Sequence, residues 1–282
     1  MSDQRPVILI TGCSSGIGAH CAHALHRRGW RVFASARRAA DVERLQGDGL
    51  ETLVLDVADE DGVAAAVATL LERTGGRLDA VFCNAGYGQP GAVEDLPREA
   101  LRAQFETNVL GAQAVARHAL PVFRRQGHGR VVMHSSLLGF VAMPYRGAYN
   151  ASKFALEGLT DTLRQELHGS GIHVSLIQTG PVTSRFRANA EAMFRRWIDA
   201  ETSAHREAYA AYARRLAGSG RTPFSRDPEA VLRRLAHALE SPRPKARYHV
   251  TVPSHVFKAL SRLLPTRLLD RVLMRVTADE RR

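Results

Sequence analysis

The stretch Thr11-Gly12-Cys13-Ser14-Ser15-Gly16-Ile17-Gly18 decides the fold of this chain. It follows an apolar run of strand length at 7–11 and opens a segment of helical spacing at 16–28. Glycine permits a tight turn and lets the backbone approach a pyrophosphate, whose charge meets the helix N-terminus. The order strand, glycine loop, helix is the context that a dinucleotide motif requires, although the spacing is Gly-x3-Gly-x-Gly rather than Gly-x-Gly-x2-Gly. The predicted phosphate-binding residues are Gly12, Ser14, Ser15, Gly16, Ile17 and Gly18.

Apolar runs and longer helical segments alternate through the next part of the chain. Strands are predicted at 7–11, 31–36, 52–56, 80–84, 130–135 and 173–178, and helices at 16–28, 59–74, 98–125 and 148–169. Strands with little polar alternation, each followed by a helix, indicate buried parallel strands in right-handed βαβ units. We therefore expect an α/β fold with a doubly wound, Rossmann-type parallel sheet and helices on both faces. In such a fold, ligands bind beyond the carboxyl ends of the strands.

The rhythm changes after residue 178. The segment 181–226 is rich in Arg, Ala and aromatic residues and has no convincing strand pattern. A helix near 228–239, a strand near 248–252 and a basic, Leu-rich tail at 255–276 follow. Because neither a linker nor an internal repeat separates these parts, we expect one domain over 1–282, with a core at 6–184 and an extension at 185–282.

Composition and charge narrow the class of protein. Hydrophobic residues make up 45% and charged residues 24% of the 282, which is typical of globular proteins. The whole net charge of +11 arises in 185–282, and no nucleic-acid-binding module accompanies it, so we expect no nucleic-acid partner. Three cysteines without a CxxC pair indicate a reduced compartment. With no signal-peptide pattern and no apolar run of membrane-spanning length, we expect a cytoplasmic protein.

Further motifs follow the glycine loop in a specific order and spacing. They are Asn84-Ala85-Gly86 after the fourth strand, Ser136 after the fifth, and Tyr149 with Lys153 in the next helix. Together with the glycine loop they resemble the short-chain dehydrogenase/reductase family over residues 6 to about 185. The stretches 149–158 and 180–183 are similar to the retinol and 17β-hydroxysteroid dehydrogenase branch, and to bacterial NADP-dependent aldehyde reductases. The resemblance implies an oxidoreductase.

Tyr149 and Lys153 are four residues apart in a predicted helix, so they share one face. A free tyrosine titrates near ~10, and a nearby ammonium, together with the positive nicotinamide of the oxidised cofactor, favours the phenolate and lowers the pKa. Tyr149 could then give a proton to a carbonyl oxygen during reduction or take one from an alcohol during oxidation. A partly exposed helical Tyr–Lys pair without a catalytic role is the alternative.

Ser136 and Asn108 complete the candidate catalytic set. Ser136 lies at the end of the fifth strand, where its hydroxyl would hold the substrate oxygen and stabilise developing negative charge. Asn108 matches the family's asparagine, which the resemblance implies binds a water that links the lysine to solvent. A buried amide that only satisfies backbone groups is the competing interpretation.

The end of the second strand bears on the choice of cofactor. An NAD site places an acid there to hold the ribose hydroxyls, whereas this chain has Ala34-Ser35-Ala36-Arg37-Arg38. Because arginine suits a 2′-phosphate, we predict that NADP(H) is preferred over NAD(H). Arg37 is then the main phosphate ligand, with Ser14 or Arg38 as helpers. Two arginines that only decorate the surface are the alternative.

The resemblance supplies the remaining cofactor contacts. It implies that Asp56 and Val57 flank the adenine, that Asn84, Ala85 and Gly86 line the cofactor, and that Pro181, Val182 and Thr183 meet the nicotinamide end. Tyr149 and Lys153 would touch the cofactor as well.

The extension is expected to choose the substrate. In the family this loop closes over substrate, and here it corresponds to 183–226, with Phe186, Phe194 and Trp197 as candidate apolar contacts. The expected substrate is a lipophilic aldehyde or ketone, and the expected substrate-binding residues are Ser136, Tyr149 and Phe186. A small satellite core of these aromatic residues explains the pattern equally well.

The tail carries two apolar groups and several cations. The apolar residues are Val256, Leu260, Leu263 and Leu264, then Leu268, Leu269, Val272, Leu273 and Val276. This pattern resembles a helix lying on a membrane surface, which makes peripheral membrane contact one interpretation. Packing against the domain itself or against a second subunit explains the same pattern, and it is the interpretation that we favour. The resemblance implies a homodimer or homotetramer.

Three functional hypotheses follow. The first is an NADPH-dependent reductase of a lipophilic carbonyl, with Tyr149 as general acid. The second is the same chemistry run as NAD(P)-dependent alcohol oxidation. The third, of another class, is a catalytically silent NADP(H)-binding regulator or membrane-surface scaffold. A metal site is not predicted, because three scattered cysteines offer no structural zinc cluster.

Overall fold

A seven-stranded sheet organises the chain. The computed structural model describes residues 5–217 and 224–278. The strands are β1 (Val7–Ile10), β2 (Arg31–Ala36), β3 (Glu51–Val54), β4 (Ala80–Cys83), β5 (Gly129–Ser136), β6 (Ile172–Thr179) and β7 (Arg247–His249). They follow the order β3-β2-β1-β4-β5-β6-β7, and each strand runs parallel to its neighbours. The expected doubly wound parallel sheet is confirmed.

Helices cover both faces of the sheet. They are α1 (Gly16–Arg27), α2 (Ala39–Gly47), α3 (Glu60–Thr74), α4 (Arg98–Phe105), α5 (Gly111–Gln126), α6 (Gly147–Glu166), α7 (Phe186–Trp197), α8 (Arg206–Ala217), α9 (Glu229–Glu240), α10 (Val252–Leu263) and α11 (Thr266–Val276). Ile8 packs in a core with α1, α2 and α9, whereas Leu9 packs in a core with α3, α5 and α6. Successive strand residues face opposite sides, so the continuous apolar run of β1 reflects burial on both sides.

The order of the strands fixes where a ligand can bind. β1 pairs with β2 on one side and with β4 on the other, so Ile10 lies between Ala34 and Phe82. The chain winds outward from β1 to β3, then returns to β4 and winds the other way. The crevice beyond the carboxyl ends of β1 and β4 is the topological switch point at which such sheets bind ligands.

Two helical regions differ from the prediction. α2 was not expected, because only Val42 and Leu45 of its nine residues are buried and its apolar pattern is weak. The helix expected over 98–125 consists of α4 and α5 joined by a wider π-helical turn at Glu106–Leu110. Single-turn π-bulges within α-helices are frequent at functional sites.

The tail packs against its own domain through part of its apolar surface. Phe257 of α10 and Leu273 of α11 are buried in a cluster with Leu138 and Val141, which follow β5. The predicted apolar face is partly wrong, because Leu263 is 78% exposed and Phe257 packs inward in place of Val256. Over the described ranges, no helix has both the length and the apolar character needed to span a bilayer.

Candidate active site

The glycine loop after β1 lies at the switch point and presses against the loop after β4. Gly12 has φ 74°, and a Cβ added to it would lie 2.8 Å from the Cα of Ala85. A Cβ added to Gly18 would lie 2.3 Å from the carbonyl oxygen of Gly12. Real Cβ atoms do not approach other atoms so closely, so both positions require glycine.

Hydrogen bonds join these two loops. The Thr11 hydroxyl oxygen accepts from the backbone N–H groups of Asn84 and Ala85, each at 3.0 Å. The Asn84 amide nitrogen donates to the carbonyl oxygens of Thr11 at 2.9 Å and Gly12 at 3.2 Å. Gly86 follows directly in the chain. The predicted phosphate loop and the predicted cofactor-lining segment are therefore one connected unit.

The N-terminus of α1 fits a dinucleotide phosphate. α1 begins at Gly16 after the N-cap Ser15, which makes no side-chain capping hydrogen bond. The first turn of this helix carries no acidic residue. Its first backbone N–H groups lack intrahelical partners, and they form the positive end of the helix dipole. An uncapped N-terminus behind a glycine loop suits a pyrophosphate.

Three arginines lie in α2 or just before it, next to the region where the adenosine half of a dinucleotide would lie. Arg37 follows β2, and its Nη1 is 3.9 Å from Oδ2 of Asp56. Arg38 is directed away, since its Nε is 3.3 Å from Asp41 and its side chain is 80% exposed. Arg44 was missed by the sequence analysis, and its Nη2 donates to the carbonyl oxygen of Ser14 at 2.8 Å. The missed helix α2 supplies it.

Ser136, Tyr149 and Lys153 come together beyond the end of β5. Ser136 is the last residue of that strand, and its side chain makes a hydrogen bond with that of Tyr149 on α6. Lys153 follows one helical turn later, with its Nζ 5.7 Å from the centre of the Tyr149 ring. The Ser136 hydroxyl also lies 3.4 Å from the Thr179 carbonyl oxygen and accepts from the Leu138 N–H at 3.1 Å.

Burial dominates the protonation of this group. It raises the pKa of Tyr149 to about 12, against the opposing effect of the hydrogen bond with Ser136. Burial also lowers the pKa of Lys153 to about 8, against the opposing charge of Glu157. The expected lowering of the Tyr149 pKa is therefore not what the protein alone produces. At neutral pH the phenol is protonated and most of the lysine is charged.

Asn108 lies in the π-helical turn, and Gly86 lies close to both Asn108 and Lys153. Its amide nitrogen donates to the Tyr87 carbonyl oxygen at 2.9 Å and to the Ser152 hydroxyl at 3.1 Å, and its oxygen accepts from the Tyr87 N–H at 3.1 Å. A Cβ added to Gly86 would lie 3.0 Å from Asn108 Oδ1 and 3.9 Å from Lys153 Nζ. The Asn108 amide thus already makes most of its hydrogen bonds to backbone groups. Its role in binding a water stays a prediction.

The segment after β6 is fixed to a distant part of the chain. Thr183 donates from its N–H to the Arg226 carbonyl oxygen at 2.9 Å, and the Arg226 N–H donates to the Pro181 carbonyl oxygen at 3.1 Å. Val182 forms the corresponding bridge. A Cβ added to Gly16 would lie 3.0 Å from the Cβ of Ser184, so this segment borders the glycine loop.

The candidate substrate contacts separate into two groups. Phe186 begins α7, and its ring centre lies 5.4 Å from that of Tyr149 in an edge-on arrangement. Phe194 instead packs against Tyr209 at 5.1 Å in a small cluster with Ile198. The interpretation as a satellite core therefore fits Phe194, and Phe186 is the residue that reaches the catalytic group.

Comparison with known proteins identifies the family of this chain. The family model described as short chain dehydrogenase matches residues 6–194. The chain belongs to this family. An uncharacterized oxidoreductase, YbbO, from Escherichia coli is 38% identical over 266 residues, which cover 94% of this chain and 93% of that protein. Human 17-beta-hydroxysteroid dehydrogenase type 1 is 36% identical over 263 residues, which cover 88% of this chain and 78% of that protein.

Solved structures agree on the fold of this short-chain dehydrogenase. A short-chain dehydrogenase from Streptomyces avermitilis superposes with a TM-score of 0.73 at 28% identity, covering 98% of this chain and 96% of that one. Other structures with the same fold hold NADP in one case and NAD in another. The fold alone therefore does not choose between these cofactors.

His134 of this dehydrogenase was missed by the sequence analysis. It lies on β5 two residues before Ser136, and its carbonyl oxygen accepts a hydrogen bond of 2.7 Å from Lys153 Nζ. Its Nδ1 is 2.8 Å from Asn84 Oδ1, and its Nε2 is 3.4 Å from the Thr179 hydroxyl. Burial, helped by the charge of Lys153, lowers the pKa of His134 to about 3, so the imidazole is neutral. A polar residue in a strand with a buried apolar pattern was the available signal.

Proposed function

We propose that this short-chain dehydrogenase is an NADPH-dependent reductase of lipophilic aldehydes or ketones. The observation that carries the proposal is the meeting of Ser136, Tyr149 and Lys153 beyond β5, beside the loops that fit a dinucleotide. When bound, the cofactor would supply the hydride for the carbonyl carbon. The glycine loop, Asn84 to Gly86 and Pro181 to Thr183 are the segments that would hold it.

The three side chains can then perform distinct steps on the substrate oxygen. Ser136 donates a hydrogen bond to this oxygen and stabilises its developing negative charge. Tyr149 gives it a proton, for which the phenol must be protonated, as its raised pKa ensures at neutral pH. The Lys153 ammonium stabilises the phenolate that remains after the transfer.

The preference for NADPH rests on the charges beside β2. This strand ends at Ala36 and is followed by Arg37 rather than by an acid, so a ribose 2′-phosphate would meet a cation. Arg44 adds a second cation next to the carbonyl of Ser14. Asp56 partly offsets Arg37, at a distance of 3.9 Å.

The substrate class rests on the apolar surroundings of Tyr149. Phe186 presents its ring to that of Tyr149, and the apolar cluster of Leu138, Phe257 and Leu273 also packs against Tyr149. Such walls would exclude water and favour a carbonyl with a large apolar substituent. A steroid appears in the name of the human relative, which supports the same class.

The decisive experiment is NADPH oxidation by the purified protein, with NADH in parallel, on medium- and long-chain aldehydes, retinal and steroid ketones. We expect turnover with NADPH that disappears in Tyr149→Phe, while NADPH binding measured by fluorescence is unchanged. Binding without turnover on the whole panel, in the wild-type protein, would favour a silent cofactor-binding regulator. Turnover that survives in Tyr149→Phe would refute the assigned acid.

The same residues can also run the reaction as alcohol oxidation. Tyr149 would then accept the proton and would need to be ionised first, which its raised pKa disfavours at neutral pH. We therefore propose that near neutrality the initial rate of carbonyl reduction exceeds that of alcohol oxidation. Initial rates in both directions with matched alcohol and carbonyl pairs test this point.

A further inference from the structure

The outward side of the two tail helices combines cations with exposed apolar side chains. We call this set the tail surface: Val252, Val256 and Leu263 on α10, with Arg267, Leu268, Arg271 and Arg275 on α11. The tail helices are fixed to the domain by their opposite sides, through Phe257 and Leu273. The tail surface is therefore the exposed side of two helices that pack against the domain.

The α10 part of the tail surface is apolar. Val252, Val256 and Leu263 recur at a helical spacing that places them on one stripe. The two valines are each 48% exposed and Leu263 is 78% exposed. Ser254 and Phe257, on the opposite side of the helix, are buried. Transfer of this stripe from water to an apolar phase would be favourable in free energy.

The α11 part of the tail surface is cationic. Arg267, Arg271 and Arg275 follow each other one turn apart, a spacing at which like charges repel and destabilise a helix. All three are exposed, and none forms an ion pair with any residue in the described part of the chain. Residues 252–278 include five Lys and Arg residues but one acidic residue, Asp270. A row of this kind is stabilised by an anionic partner.

One partner supplies both anionic groups and an apolar layer, namely a bilayer that contains anionic phospholipids. A second copy of the chain is a poorer match, because a two-fold interface sets the same patch against itself and would bring the arginine row onto its own copy. A nucleic acid offers phosphates for the arginines but no apolar phase for Leu263.

We propose that the tail surface docks this protein on anionic phospholipid bilayers. The helices that carry it also wall the apolar cluster around Tyr149, which places the catalytic edge of the sheet near the docked face. A lipophilic carbonyl could then pass from the bilayer to the active site. This last consequence, unlike the docking, rests on the proposed function.

Flotation of the full-length protein with vesicles tests the docking without using activity. The vesicles are phosphatidylcholine alone, or phosphatidylcholine in which roughly one lipid in four is phosphatidylserine. We expect binding to the anionic vesicles only, with release when the salt rises from about 0.1 M to about 0.5 M. Arg267→Glu with Arg271→Glu should weaken the partition at least about tenfold, since each surface arginine contributes about 1 kcal/mol.

Two further variants make the test specific. Leu263→Ser should weaken binding several-fold through the apolar term alone, about as expected for withdrawing one exposed leucine from the interface. Arg233→Glu with Arg234→Glu, on the exposed side of α9, removes equal charge elsewhere and should have a much smaller effect. Circular dichroism and thermal unfolding confirm that each variant is folded.

Three results would overturn the proposal. One is the absence of flotation with anionic vesicles at low salt, and another is an equal loss in the tail and α9 variants. The third is evidence that another partner covers the tail surface in protein that does not float. Such evidence would be a mass by light scattering that halves in the Arg267→Glu, Arg271→Glu variant, which indicates a second copy of the chain, or binding of duplex DNA through these arginines. Loss of turnover with flotation intact would refute the proposed function and leave the docking standing.

Discussion

The imidazole Nδ1 of His134 lies 2.8 Å from the amide oxygen of Asn84. Because the Asn84 amide nitrogen donates to two carbonyl oxygens of the glycine loop, its oxygen faces His134, and Nδ1 must carry the proton. Nε2 then carries no proton and lies 3.4 Å from the Thr179 hydroxyl, whose single proton is donated to the Ser135 carbonyl oxygen at 3.3 Å. The Thr179 carbonyl oxygen in turn lies 3.4 Å from the Ser136 hydroxyl. His134 thus links the cofactor loops to the catalytic serine.

Replacing His134 should disturb cofactor binding more than the chemical step. His134→Leu leaves the Asn84 amide oxygen without its donor, which costs about 1–3 kcal/mol. We expect a KM for NADPH that rises several-fold with a smaller change in kcat. His134→Asn, which can place an N–H near the position of Nδ1, should restore much of the loss. Equal effects of both variants on KM and kcat would mean that His134 only fills space.

The same residue should make stability depend on pH. Its pKa in the folded protein is about 3, below the usual value of 6.5, because the buried imidazole resists protonation. Between these two values the unfolded chain binds a proton that the folded protein does not, so folding stability falls as the pH falls. This loss of stability is absent above about pH 6.5, and it grows by roughly 1 kcal/mol for each pH unit below that value.

Denaturant unfolding of wild-type and His134→Asn protein at several pH values checks this linkage. The variant lacks the titrating group, so its stability relative to the wild type should improve steadily from neutral pH toward about pH 4. A constant difference between the two proteins over this range would contradict the buried neutral imidazole.

The rate of carbonyl reduction should fall above about pH 8. The pKa of Lys153 is about 8, whereas that of Tyr149 is about 12, so the lysine loses its proton first. Loss of the ammonium removes the charge that stabilises the phenolate left by proton transfer. The measurement is kcat/KM with saturating NADPH between about pH 6 and about pH 10. A profile that stays flat through pH 8 would show that the Lys153 charge is not required.

Arg37 should select NADPH, and Arg38 provides a matched control. Arg37→Ala removes a charge-assisted contact to the 2′-phosphate, worth about 1.5–3 kcal/mol. The KM for NADPH should therefore rise about tenfold or more, while the KM for NADH is unchanged. Arg38 is directed toward Asp41, so Arg38→Ala should have little effect on either. If Arg44→Ala rather than Arg37→Ala removes the preference, the phosphate ligand is on α2.

Phe186 should contribute binding energy to apolar substrates only. Its ring meets that of Tyr149 edge-on, with the centres 5.4 Å apart. Phe186→Ala should raise the KM for a long-chain aldehyde about tenfold, in line with the burial of one aromatic side chain. The KM for a small, water-soluble aldehyde should hardly change. Similar effects on both substrates would indicate a shift of Tyr149 rather than a lost substrate contact.

The sequence by itself determined the features that depend on neighbours in the chain. The glycine loop, the alternation of buried strands with helices, and the Tyr149–Lys153 pair one turn apart are fixed by local spacing, and the structure agrees with each. Ser136 could be placed at the ligand edge because the end of a parallel strand defines that edge.

Only the tertiary structure decided which distant residues meet. His134 reaches Asn84 because β5 lies beside β4, and Arg44 reaches Ser14 because α2 packs beside the glycine loop. Phe186 reaches Tyr149 because the start of α7 lies beside the start of α6. These contacts join residues 30 or more positions apart, where spacing along the chain carries no information. Which side of the tail faces outward was likewise decided by packing, since both sides of α10 carry apolar residues and Phe257 alone finds a buried site.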